Sequence, residues 1–115
     1  MNPPQRAETQ DRAEWRFLQL LCDAELEPTL RAEFCARVAP ERFEDVTHRI
    51  ISEEIRAVSS PEHPVSATLL REHLPGRVTA RGFPDLDFDS LFASDCSGPE
   101  EASRQIQKAC EILEN

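Results

Sequence analysis

Apolar residues recur along this chain at helical spacing and never in sustained alternation. Ala13, Phe17, Leu18, Leu21 and Cys22, widened by Leu20, form one stripe and predict a first helix with Thr9 or Asp11 as its cap. Trp15 falls at an edge of that stripe, where partial burial is expected. Glu27-Pro28-Thr29 restarts the chain, because proline at a first helical turn costs no hydrogen bond. Leu30, Phe34, Cys35 and Val38 then mark a second helix that Ala39-Pro40 ends.

The segment RFEDVTHRIISEEI, residues 42–55, predicts a third helix. Val46, Ile50, Ile51, Ile55 and Val58 make its dry side, with the carboxylates on the wet side. A fourth helix starts at Ser66, buries Leu69, Leu70 and Leu74, and is expected to stop at Pro75-Gly76. A short helix is read near Phe88–Phe92. In the last helix Ala102, Ile106, Ala109, Cys110 and Leu113 form the dry face, with Ser97 and Glu100 as a capping box. Residues 1–10, MNPPQRAETQ, read as a flexible leader and residues 11–115 as one helical interaction domain. The expected fold is all-α, a small single-domain bundle of five or six short helices.

Composition narrows the function. With 22 acids against 13 bases the net charge is −9, and Asp85–Asn115 holds eight of the acids against Arg104 and Lys108 alone. Such a surface repels phosphate backbones, so direct nucleic-acid binding is not expected. Cys22, Cys35, Cys96 and Cys110 are widely spaced, without CxxC or a zinc-like pairing with histidine, and read as reduced core residues. No apolar run in the first twenty residues suggests a signal peptide, and no segment approaches membrane-span length, so a cytoplasmic protein is expected.

Candidate chemistry centres on His48, whose helical neighbours are Glu44, Asp45 and Ser52. A carboxylate beside an imidazole can orient it as a base. GxSxG, HExxH and phosphate-cradling glycine motifs are lacking, however, and His48 falls between Val46 and Ile50, pointing to a flank or to solvent. Asp85, Asp87 and Asp89 have the spacing that opens a calcium loop, but Ser90 and Cys96 occupy the positions that require Gly and Glu. That segment reads instead as an acidic turn among Phe83, Leu86, Phe88, Leu91 and Phe92, of a kind that can dock. His63 and His73 are isolated. No catalytic, cofactor or metal residue is assigned.

The order of segments EWRFLQLLCDAEL, APERFEDVTHRIISEEI and HPVSATLLREHL resembles the N-terminal domain of DnaB-type replicative helicases and its relative, the C-terminal helicase-binding domain of DnaG-type primases. Leu20, Leu21 and Asp23, then Pro40, Phe43, His48, Arg49, Ile51 and Ile55, then Val65, Ser66, Leu69, Leu70 and Leu74 carry the likeness, over Glu14 to Leu74. Phe17-Leu18-Gln19 stands where the helicase domains have a glycine, which favours the primase-like branch. The helix from Pro99 would correspond to the start of that branch's closing helices, and the chain ends before much of them forms. The resemblance implies a non-catalytic domain without cofactors that couples primase to the replicative helicase. The family's contact surface, a C-terminal hairpin, cannot be carried over residue by residue, so no partner-binding residue follows from it. The alternative reading is a stand-alone acidic helical adaptor or regulator that binds a basic partner surface. An enzyme would require His48, Glu44 or Asp45 to meet further polar groups in a cleft.

Overall fold

The computed structural model describes the backbone of residues 3–114 and the side chains of residues 9–114. Six α-helices follow one another: α1 Pro3–Leu21, α2 Pro28–Arg37, α3 Val46–Val58, α4 Ala67–Ala80, α5 Phe88–Leu91 and α6 Pro99–Glu114, with a 3₁₀ turn at Pro40–Arg42. The expected all-α bundle is what forms. No strand occurs among the described residues, and no helix there is long and apolar enough to cross a membrane.

α1 is the central element: it packs on α6, α3, α5 and α2, while α4 reaches the bundle through α3. Phe17, Leu18, Leu20 and Leu21 of α1 are fully buried in one core with Ile51, Ile55, Leu70, Leu74, Leu91, Ile106 and Cys110. Phe17 and Phe43 stack obliquely, with ring centroids 6.2 Å apart.

Four local expectations need correction. α1 begins at Pro3, well inside the expected leader; Met1 and Asn2 lie outside the described residues. Pro3 and Pro4 occupy a first turn whose N–H groups need no intrahelical partner, and Gln5, Arg6, Ala7 and Glu8 are good helix formers. Thr9 and Asp11 are therefore interior to the helix and do not mark its start. α4 does not stop at Pro75-Gly76. Its last turns are held by the buried Val78 and by Arg77 and Arg81, which pair with Glu54 of α3 at 2.7 and 2.6 Å. It ends instead at Gly82 (φ 104°), where the Gly82 N–H donates to Thr79 O and the Phe83 N–H to Val78 O, closing the last carbonyls. Leu69, expected in the core, is 38% exposed. At α6 the Ser97 hydroxyl donates to Glu101 at 2.6 Å, so no Ser97–Glu100 capping box forms; Glu100 and Glu101 still occupy the first turn, where the helix dipole favours them.

Burial also reaches charges. Arg31 is fully buried on α2 and spends its guanidinium on carbonyls: Nε donates to Leu21 O (2.5 Å), Nη2 to Asp23 O (2.8 Å) and Leu26 O (2.9 Å), and Nη1 to Val65 O (2.7 Å). The first three carbonyls lie at the C-terminal end of α1 and in its following turn, where the dipole favours a cation, and the fourth precedes α4. Burial pulls the Arg31 pKa below its ordinary value, but a guanidinium remains charged at neutral pH. Arg71 adds a bond from Nε to Cys22 O at 3.0 Å and lies over the Phe92 ring.

Replacing Arg31 by Met is expected to remove a donor from the carbonyls of buried Leu21, Asp23 and Leu26 and of half-buried Val65, and to cost about 3–5 kcal/mol. Arg31→Lys should recover little of this, since one ammonium lacks the planar fork that reaches all four. Urea unfolding followed by circular dichroism measures both, and a loss below about 1 kcal/mol for Arg31→Met would contradict the role.

Candidate functional site

His48 is the sequence's main chemical candidate, and it is not on a flank. It is buried, with Nδ1 2.8 Å from Oε1 of Glu14, a residue of α1 that is itself fully buried. Its partner therefore comes from another helix, not from Glu44, Asp45 or Ser52 on its own segment. Glu14 also accepts the backbone N–H of Glu44 at 2.7 Å, that of Asp45 at 3.3 Å, and the side-chain amide of Gln10 at 2.8 Å. Asp45 in turn caps α3 by accepting the His48 N–H at 3.0 Å. Two acids thus serve the positive N-terminal end of α3, one local and one delivered by α1. Half-buried Trp15 covers the imidazole, ring centroids 5.5 Å apart.

The reason is the register of α3. The buried positions are His48, Ile51, Ser52, Glu54 and Ile55, so one of the carboxylates expected on the wet side is buried as well. Val46, expected on the dry side, is 60% exposed, and Ile50 and Val58 are only half-buried. The buried stripe is rotated so that His48 belongs to it.

Asp11, Asp45 and His48 bring potential ligand atoms within 4.8 Å of one another. Asp11 is exposed and its Oδ1 is 3.9 Å from His48 Nδ1, farther than Glu14. A metal at Nδ1 would have to displace the Glu14 contact that orders α3, so the group reads as a helix clamp. His63 and His73 are exposed and do not join it. Asp85, Asp87 and Asp89 are exposed too; Asp87 caps α5 by accepting the Ser90 N–H at 3.0 Å.

Asp23, buried just after α1, makes a second clamp. It accepts the Ser94 hydroxyl at 2.5 Å, the Cys96 N–H at 3.1 Å and the Glu25 N–H at 2.8 Å, so it fixes the α5–α6 connection to the end of α1. Burial alone would raise its pKa. The bonds from Ser94, Glu25 and Cys96 outweigh that and hold the carboxyl below its usual 3.8. The four cysteines are free and buried. Burial pushes the thiols of Cys22 and Cys35 up to about 12, and those of Cys96 and Cys110 up to about 11, so they match the expected reduced core residues and carry little thiolate at neutral pH.

A feature that sequence reading missed lies on the outer surface of the α1–α6 pair. Arg12 and Arg16 on α1 face Arg104 and Lys108 on α6 across a groove of about 610 Å³. Ala109 and Ile112 supply apolar lining, and Ile112 is 44% exposed. Arg16 donates to Ser94 at 3.2 Å and to Gln105. Arg12 and Lys108 make no hydrogen bond or ion pair within the described structure, and Arg104 is near enough to Glu101 only to help lower its pKa, after the Ser97 hydroxyl. The available signal was two i, i+4 basic pairs, ninety residues apart, each adjoining an apolar stripe.

Glu14→Ala should cost about 2–4 kcal/mol, because it strands the buried imidazole and takes the acceptor from the part-buried N–H groups of Glu44 and Asp45; Glu14→Gln, which keeps an acceptor, should cost less. Equal losses in urea unfolding would contradict the clamp. For Asp23 the lowered pKa fixes the sign. Its stabilisation is full above 3.8 and fades as pH falls through the lower folded value. Asp23→Asn should therefore be about 1–2 kcal/mol less stable than wild type at pH 7 and converge with it in acid, read by thermal unfolding across pH. Comparison with family models, with curated proteins and with solved structures finds no match to this chain.

Proposed function

We propose that this chain is a non-catalytic protein-interaction domain that couples primase to the replicative helicase, with the α1–α6 groove as its working surface. The observation that carries the reading is the groove: a basic, partly apolar trough on an otherwise acidic chain, with no ion pair at Arg12 or Lys108 among the described residues. Exposed apolar area bounded by unpaired charge is how a docking site differs from ordinary surface. The named partner rests on the resemblance carried by Phe43, His48 and Arg49. In this protein those residues have internal duties: Phe43 packs on Phe17, His48 meets Glu14, and Arg49 Nη2 donates to Phe43 O at 2.9 Å. They bear on kinship of fold and leave the outer surfaces free for contact.

A second reading, the acidic adaptor, is favoured by the segment around α5. Asp85, Asp87, Asp89 and Asp95 are exposed beside half-buried Leu86, Phe88 and Phe92, an arrangement suited to a basic partner surface.

Light-scattering titration against the cognate replicative helicase tests the first reading. Association in the micromolar range, lost on reversing charge in the groove, is expected; no association at tens of micromolar overturns it. A complex that ignores the groove but weakens when Asp85, Asp87 and Asp89 are changed to Asn would favour the second.

A further inference from the structure

We infer that the α1–α6 groove takes an acidic amphipathic helix of a partner protein, a step that rests on the interaction-domain reading above. The argument is one of matching repeats. Arg12 and Arg16 are four residues apart on one wall, and Arg104 and Lys108 four apart on the other. Four residues of helix rise about 6 Å, so each wall presents two cations one turn apart. A partner helix with carboxylates at i and i+4 along each flank repeats at the same interval. Between those flanks an apolar stripe at i, i+3 or i+4, and i+7 covers about two turns, the length spanned by Arg104 through Ile112. Ile112 and Ala109 give that stripe an apolar seat, and 44% of Ile112 stands open to receive it.

Charge complementarity selects this occupant over others. Four of the chain's 13 bases, including its only lysine, line one groove while the net charge is −9. Single-stranded nucleic acid has a comparable phosphate repeat, but no aromatic side chain lines the groove to stack a base, and a phosphate backbone would leave the apolar seat of Ala109 and Ile112 uncovered. A second copy of the chain would offer helices whose apolar stripes are already buried in its own core. Asp11, Glu101 and Glu111, the acids one or three residues from Arg12, Arg104 and Lys108, form no ion pair with them among the described residues.

The test uses the full chain and a synthetic peptide of about 18 residues, long enough to form helix, with Leu in the apolar stripe and Glu pairs on both flanks. Fluorescence anisotropy with labelled peptide should show saturable binding that weakens with salt. Arg12→Glu and Lys108→Glu should each weaken it about tenfold, and Ile112→Asp comparably. All three positions are exposed, and circular dichroism confirms that the variants fold. A composition-matched scrambled peptide should not bind. The inference is overturned if the Leu/Glu peptide binds no better than the scrambled one, or binds all variants equally. It is also overturned if a single-stranded oligonucleotide binds the groove more tightly, or if sedimentation shows self-association abolished by Lys108→Glu. Titrating the same variants against the replicative helicase separates the two proposals. Helicase binding that ignores them sinks the groove and spares the partner; peptide binding without helicase binding does the reverse.

Discussion

A carboxylate with no water around it must be given donors, and meeting that demand at Glu14 fixes how α3 stands on α1. Glu14 is fully buried in the packed face of α1. Its donors are an imidazole and the first free N–H groups before α3, so α3 can lie against α1 in only the register that presents His48, Glu44 N and Asp45 N together. The hydrophobic contacts of Ile51 and Ile55 are strong but unspecific in register; a one-residue slip would leave apolar area still partly covered. The same slip would strand a charge, which costs far more than a poorly packed methyl group. Directional bonds choose the arrangement, and apolar burial supplies most of its strength.

The opposite end of α1 follows the same logic with sign reversed. There the helix presents orphan carbonyls, and α2 answers with Arg31, whose four bonds reach Leu21, Asp23, Leu26 and, beyond the turn, Val65 before α4. Asp23 then ties down Ser94 and Cys96 before α6. α1 therefore organises the bundle from both termini of its packed length, and Glu54 with Arg77 and Arg81 repeats the device between α3 and α4. Each tie joins segments distant in sequence, which is why short helices with few glycines settle into one arrangement.

The apolar stripes of α1, α2 and α6 were legible in the chain because their periods are regular and unbroken. α3 was misread because its stripe contains His48 and Ser52, and counting only aliphatic residues rotated the helix toward Val46 and Ile50. The clue to the clamps was nevertheless present. Glu14 stands three and four residues before Phe17 and Leu18, and Arg31 three and four before Phe34 and Cys35, so each charge is in register with a dry face. A charge in register with a stripe predicts a buried partner but does not name it, because the partner lies on another helix. α4 ran past Pro75 for a related reason: the contacts of Val78, Arg77 and Arg81 outweigh the one backbone bond proline forgoes.

The groove stands out against this background because it gathers four cations of an acidic chain at one place. The chain holds 22 acids for 13 bases, so an exposed cation has a surplus of partners within reach. Arg37 reaches Glu114 at 2.9 Å, and Arg77 and Arg81 share Glu54 and Glu53. Arg12, Arg104 and Lys108 make no such pair, although Asp11, Glu101 and Glu111 are only one or three residues away. Holding like charges together across a groove is unfavourable in the isolated molecule, and a partner's carboxylates would remove that repulsion on binding. A folded chain that answers Glu14, Asp23 and Arg31 with directional bonds, yet gathers Arg12, Arg104 and Lys108 without ion pairs among the described residues around an exposed isoleucine, presents an unmet electrostatic demand between its first and last helices.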